Sequence, residues 1–374
     1  MSKKYLLNSA LALFSFIVTL CLVELACLAI NRASGESIPF FYNKTLVLRT
    51  ERGHNQLHSL DSLLGYTYAK DDASKEHLTI PFVFQDGFVI FTEPPQNGQI
   101  NFASLPRPII VTLGGSTTES FRWETSWPQE LATLLRKEGF PGTVVNGGIG
   151  GYSSNQELLK SLRDVLEINP DIVIAFHGVN ELAWVKYPYP LVSKYMRNIL
   201  ETMVNNARSS TFLPNTYFFL SRVGKKQKTS VTEISHGVPN PHAPVEVFLR
   251  NDEKMRTLYA HVGIHYVSIL QPFALTGTYA EALKQSHPDF VKEIVAENQE
   301  LKVMYGELLE LKTHTPFAML DYTDIFSAFN PTVEQIFLDR CHVTPKANQF
   351  LAKQIFNEIR QHLEDIAKNK RPPT

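Results

Sequence analysis

One stretch constrains the fold more than any other. Ile109-Ile110-Val111-Thr112-Leu113 runs straight into Gly114-Gly115-Ser116-Thr117-Thr118-Glu119. A short β-branched, apolar run of this kind reads as a strand buried on both faces, which belongs in a parallel sheet covered by helices. Two glycines end it and permit a sharp turn that a Cβ would resist. Ser116 then stands at the carboxyl end of a buried strand, where open α/β sheets place their ligands.

The pattern after Pro106 repeats this theme. Strand-like runs at Thr143–Asn146, Asp171–Phe176, His265–Leu270 and Phe317–Asp321 alternate with helical stretches. One helix begins near Trp127 after Ser126, with Pro128 in its first turn. Ser154-Asn155-Gln156-Glu157 has capping-box spacing and leads a stripe of Leu158, Leu159, Leu162, Val165 and Leu166. The last helix starts near Thr344-Pro345 and carries Leu351, Ile355, Ile359 and Leu363 on one face. Alternation of this kind predicts a doubly wound, flavodoxin-like parallel sheet of five strands with helices on both faces. Ahead of it, Thr79–Phe84 and Phe88–Thr92 flank Asp86-Gly87, a hairpin signal, and form a small β-rich segment. A helix is expected over about 190–207, and 208–245 reads as an irregular insertion.

The N-terminus is of a different kind. Lys3 and Lys4 precede Tyr5–Ile30, a run whose only charge is Glu24. Its length suits a transmembrane helix, and the lysines orient it with the body outside the cytoplasm. The expected division is therefore a signal-anchor at 1–33, a linker and β-rich segment at 34–105, a catalytic-type domain at 106–367 and a basic tail at 368–374. The chain of 374 residues has a formal net charge of −1, so nothing draws it to nucleic acid. Only Cys341 lies beyond the N-terminal run, which leaves no internal disulfide for the body and no cysteine-based metal site.

Four strand ends carry chemistry-bearing residues: Gly114-Gly115-Ser116, Asn146-Gly147-Gly148-Ile149-Gly150-Gly151-Tyr152, His177-Gly178-Val179-Asn180-Glu181, and Asp339-Arg340-Cys341-His342 before the last helix. Their types suit acyl transfer. A serine hydroxyl needs a base to take its proton, and His342 can act as one. Asp339, three residues earlier, can hold the imidazole in one tautomer. The backbone N–H groups of Ser116 and Gly151 and the amide of Asn180 can stabilise an oxyanion.

In these blocks the chain resembles the SGNH hydrolases, the group that includes the GDSL lipases and esterases. The similarity covers about residues 106–367. It implies Ser116 as nucleophile, Gly151 and Asn180 in the oxyanion hole, and Asp339 and His342 as the Asp-x-x-His pair. No metal or organic cofactor is implied. Many members carry Asp where Gly115 stands. The resulting expectation is a membrane-tethered, extracytoplasmic serine esterase acting on short acyl groups of a glycan. A lipid acyl hydrolase and an O-acyltransferase would use the same triad. Its partners would be an acylated small molecule, glycan or lipid, and the membrane.

Overall fold

The computed structural model describes residues 3–33, 58–61, 63–68, 80–93, 98–119, 125–182, 216, 243–314 and 318–368. The chain forms two compact units. One comprises Met1–Leu46 with Arg197–Gly237, and the other Val47–Met196 with Val238–Thr374. In the first unit, helix α1 (Lys3–Ala33) runs for 31 residues. Its Glu24 carboxylate accepts hydrogen bonds from the Thr216 N–H at 2.9 Å and the Thr216 hydroxyl at 2.8 Å. Among the described residues no helix is long and apolar enough to cross a membrane. The expected helix over 190–207 and nearly all of the 208–245 insertion lie outside the described residues.

The second unit holds the sheet and everything that bears on chemistry. A two-stranded hairpin comes first, β1 (His58–Asp61) with β2 (Gly65–Tyr68). Then come β3 (Val83–Gln85), β4 (Phe88–Phe91), β5 (Ile109–Gly114), β6 (Thr143–Asn146), β7 (Ile172–His177), β8 (His265–Leu270) and β9 (Met319–Asp321). The larger sheet has seven strands in the order β3-β4-β6-β5-β7-β8-β9. Five of them, from β6 to β9, are parallel as the alternation requires. The expectation of a five-stranded sheet is corrected at one edge. The β3–β4 hairpin does not stand apart, because Val89–Phe91 pairs antiparallel with Val144–Asn146. Local patterning cannot reveal this pairing, since it joins segments some 55 residues apart through backbone groups alone. Asp86 and Gly87 turn the hairpin with φ of 52° and 77°, the left-handed values that a two-residue I′ turn needs.

Helices alternate with the strands. They are α2 (Trp127–Lys137), α3 (Ser154–Lys160), α4 (Leu166–Ile168), α5 (Val179–Leu182), α6 (Ala243–His261), α7 (Gly277–Ser286), α8 (Pro288–His314) and α9 (Pro345–Lys368). Period-2 alternation divides the strand side chains between the two faces. Ile109, Val111 and Leu113 pack with Val165, Ile168, Met255 and Tyr259. α2 packs against α9, whose Leu351, Ile355, Ile359 and Leu363 are buried as the stripe predicted.

The stripe expected after Ser154 is corrected. Leu162 is 52% exposed, whereas Gln156, Glu157, Lys160 and Ser161 are buried. The helix passes from α3 to α4 through a π-helical turn at Ser161–Val165. That turn adds a residue and rotates the rest of the helix, so the apolar set no longer lies on one face. The capping partners also sit one residue earlier than expected. Gln156 Oε1 accepts from the Ser153 N–H at 3.0 Å and the Ser153 hydroxyl at 2.6 Å. This leaves Glu157 free to enter the core, where its Oε2 lies 2.7 Å from His177 Nδ1.

Candidate active site

β5 delivers Ser116 through a turn closed by the N–H groups of Thr118 and Glu119, both bonding to the Gly115 carbonyl at 3.0 and 3.1 Å. Gly114 is required by close approach: an added Cβ would lie 2.3 Å from Thr118 Oγ1 and 2.5 Å from the Phe176 carbonyl. Asn146, at the end of β6, ties this turn to the sheet. Its Oδ1 accepts from Thr112 Oγ1 at 2.8 Å and from the Gly148 N–H at 2.9 Å, and its Nδ2 donates to the Thr118 carbonyl at 2.7 Å. Trp127 is fully buried against Phe176.

From the far end of the chain, the segment before α9 brings His342 to the serine. His342 Nε2 lies 2.7 Å from Ser116 Oγ, across 226 residues of sequence. His342 Nδ1 lies 2.6 Å from Asp339 Oδ2. Asp339 Oδ1 also accepts from the N–H groups of Cys341 and His342, each at 2.9 Å, which makes the Asp-x-x-His turn a rigid bracket. The Ser116, Asp339 and His342 expected from sequence are thus joined in one hydrogen-bonded chain.

The electrostatics suit proton transfer. Burial would raise the Asp339 carboxyl. The bond to His342, its charge and the two N–H donors outweigh that and hold the group well below the usual carboxylate range. Burial opposes charging of His342, but the Cys341 sulfur and the Asp339 carboxylate outweigh it, so the imidazolium is stabilised above the ordinary histidine value. A general base must be neutral to accept the serine proton. The rising limb of kcat/KM against pH is therefore expected above the ordinary ~6.5 of histidine. In Asp339→Asn, which removes the stabilising carboxylate charge, the limb should move to lower pH. A wild-type limb at or below 6.5, or one unmoved by that substitution, would contradict this electrostatic account.

The Asn180 side chain, in α5 just past β7, reaches the same place. Its Nδ2 donates to the Tyr152 carbonyl at 2.7 Å, and a Cβ added at Gly115 would lie 2.2 Å from that nitrogen. The amide therefore occupies the space beside the nucleophile turn that a side chain at 115 would fill. Gly151 sits in the loop after β6 with φ of 82°, a left-handed value that favours glycine. Glu181 holds the two oxyanion loops together, its carboxylate accepting from the Ser154 N–H and from the Gly178 N–H at 3.2 Å. Burial and the Glu157 carboxylate push its pKa up to about 7. His177 belongs to the core: it is 2% exposed and bonds Glu157 on one side and Ser268 Oγ at 3.0 Å on the other.

Other titratable side chains near the strand ends are engaged elsewhere. Asp321 Oδ1 accepts from the N–H and hydroxyl of Thr323, and Asp324 Oδ1 from those of Thr278. His265 stacks on His362 with centroids 4.1 Å apart. Arg122 and Trp123 lie outside the described residues. Among the described residues, Asp339, Cys341 and His342 present possible metal-ligating atoms within 4.8 Å of one another. Both imidazole nitrogens already face triad partners, so the set reads as a proton relay.

Asn146 and Glu181 stood in the strand-end blocks, but sequence reasoning gave neither a role, and it missed the reason for Gly115. A depression beside the triad, lined by Thr117, Phe176, Pro272, Cys341, His342 and Leu351 among others, has about 320 Å³ of empty space including its open mouth.

Residues 112–290 match the GDSL-like Lipase/Acylhydrolase family. No curated protein sequence matches the chain. Among solved structures the chain is similar to an acetyl xylan esterase, at 16% identity over 67% of this chain and 99% of that one, with a TM-score of 0.41. It is similar also to a GDSL-like lipase from Bacteroides thetaiotaomicron, at 15% identity over 70% and 100%, TM-score 0.37. A third is a catalytic mutant of an acetylxylan esterase from Geobacillus stearothermophilus, at 14% identity over 68% and 94%, TM-score 0.38.

Proposed function

Given that the chain belongs to the GDSL-like lipase/acylhydrolase family and is a hydrolase acting on ester bonds, we propose that it is a serine esterase. It would remove short acyl groups, acetyl foremost, from a glycan on the extracytoplasmic side of a membrane that holds it through α1. The observation that carries the chemistry is the unbroken relay Asp339–His342–Ser116, at 2.6 and 2.7 Å. Ser116 Oγ attacks the ester carbonyl while His342 Nε2 takes its proton. The tetrahedral oxyanion is met by the backbone N–H groups of Ser116 and Gly151 and by the Asn180 amide. Collapse expels the alcohol, which takes the proton back from His342, and leaves an acyl-enzyme. Water activated by the same imidazole then releases the acid.

Support for a short acyl group comes from the tightness of the depression beside His342, whose enclosed space is about what one water needs. Support for the tether comes from the sequence Tyr5–Ile30, with Glu24 its only charge and Lys3 and Lys4 before it. A helix of that run would extend about 39 Å, beyond the ~30 Å of a bilayer core. A glycan is proposed as the alcohol on the ground of that location, where cell-surface and secreted glycans carry acylated hydroxyls.

Turnover of p-nitrophenyl acetate, butyrate and octanoate by the full chain tests the acyl preference. Acetate is expected to give the highest kcat/KM, with octanoate about 10- to 200-fold lower, the range a hydrophobic site can discriminate by size. A preference for octanoate would replace the glycan esterase with a lipid acyl hydrolase. Turnover only in the presence of an added sugar acceptor would replace it with a transferase.

A further inference from the structure

The β1–β2 hairpin lies outside the family-matched residues, yet it reaches directly into the oxyanion loop. Tyr66 and Tyr68, alternate residues of β2, both point their hydroxyls into the loop after β6. The Tyr66 hydroxyl donates to the Gly150 carbonyl at 2.8 Å, and the Tyr68 hydroxyl to the Gly148 carbonyl at 2.7 Å. Both tyrosines are buried, and the Tyr152 hydroxyl returns a bond to the Tyr66 carbonyl at 2.5 Å. The Tyr66 and Tyr152 rings meet edge to face at 5.2 Å. Asp61, at the other end of the hairpin, is gripped by Arg163 Nη1 at 2.8 and 2.9 Å.

The two tyrosines differ in what they hold. The carbonyl of Gly150 and the N–H of Gly151 are opposite ends of one planar peptide unit. Fixing the carbonyl therefore fixes where that N–H points. The plane lies between two consecutive glycines, which offer little steric resistance to its turning over. A hydroxyl donated to the carbonyl favours one orientation of the two, and it polarises the peptide so that the N–H becomes the better donor. Tyr68 holds the 148–149 peptide, two units earlier, whose N–H at Ile149 is already spent on the Gly114 carbonyl at 3.1 Å.

We propose that Tyr66 is a positioning residue of the oxyanion hole, acting through the 150–151 peptide, and that the hairpin preceding the catalytic body is part of the active site. This rests on the esterase chemistry proposed above, with Gly151 as an oxyanion donor. The Gly151 N–H that Tyr66 holds bonds more strongly to the developing oxyanion than to the ground-state carbonyl, so loss of the Tyr66 bond should fall on kcat.

Full-length Tyr66→Phe and Tyr68→Phe, assayed on p-nitrophenyl acetate beside Ser116→Ala, test it. Each phenylalanine keeps the ring and orphans one buried carbonyl, so the two should lose similar thermal stability. Tyr66→Phe is expected to lower kcat about tenfold with KM within about twofold. That is a fraction of the roughly 100- to 1000-fold that loss of a whole donor causes. Tyr68→Phe should lower kcat less than threefold. Equal losses of kcat in the two variants would overturn the inference, because they would report general loosening of the hairpin. So would an effect on KM alone or no effect on kcat. Wild-type turnover that survives Ser116→Ala would overturn the esterase chemistry and this inference with it. A Ser116-dependent wild type with a silent Tyr66→Phe would overturn only the inference.

Discussion

Ser116→Ala is expected to lower kcat for p-nitrophenyl acetate by roughly five to six orders of magnitude, and His342→Ala by about as much. The reason lies in the relay. Ser116 Oγ and His342 Nε2 are 2.7 Å apart, and neither does its work alone. Without the imidazole the hydroxyl keeps its proton, and without the hydroxyl the imidazole has only water to activate. The double variant Ser116→Ala/His342→Ala should therefore be no slower than either single one, since residues that act as a unit lose their effect together. The oxyanion donors stay in place in all three. A residual rate roughly 1000- to 10,000-fold above uncatalysed hydrolysis is expected from them. Ser116 is only partly buried at the end of β5 and makes no turn bond with its side chain, so circular dichroism and melting temperature should remain those of the wild type. Losses that add in the double variant, or a Ser116→Ala enzyme retaining more than about a hundredth of wild-type kcat, would rule out this nucleophile.

Much of this was legible in the sequence, for a physical reason. In a parallel sheet every strand ends at the same edge, so unusual residues after Leu113, Asn146, His177 and ahead of α9 must converge. The continuous apolar runs of β5, β7 and β8 marked the strands that this geometry needs. The pairing of Asp339 with His342 was legible because both lie on one short turn. The departures arose where long-range packing decided the outcome. The β3–β4 hairpin joined the main sheet through backbone bonds that carry no side-chain signature. The face of α3 turned polar because Glu157 had a buried partner in His177, some 20 residues away, and because a π-helical turn shifted the register. Tyr66 and Tyr68 carried no signal in the sequence, because the loop they serve lies about 80 residues later.

Gly115 carries the second large effect. Many members of the family have Asp at this position, so its replacement by a residue with a side chain looks harmless from sequence. In this chain it should not be. Gly115→Ala is expected to lower kcat roughly 100- to 1000-fold, the range for loss of one oxyanion donor, with KM nearly unchanged. The backbone at 115 has no left-handed φ, so alanine meets no conformational strain. The obstacle is steric and specific. The new Cβ would lie 2.2 Å from Asn180 Nδ2, while the next contacts, Asn180 Cγ and the Tyr152 carbonyl, are at 3.4 Å. The end of a side chain yields before backbone does, so the amide swings away and the fold survives. Asn180→Ala should produce the same loss by deleting the amide outright. Gly115→Ala/Asn180→Ala should be no worse than either, because the methyl then has nothing left to displace. Gly115→Asp, which restores the residue common in the family, should fall as far as Gly115→Ala. These four variants decide whether the glycine is there for the turn or for the amide. If Gly115→Ala keeps kcat within about threefold of wild type while Asn180→Ala does not, the amide reaches the oxyanion from a position that this packing does not govern. If the two losses match and fail to add, Gly115 is the residue that gives Asn180 its place.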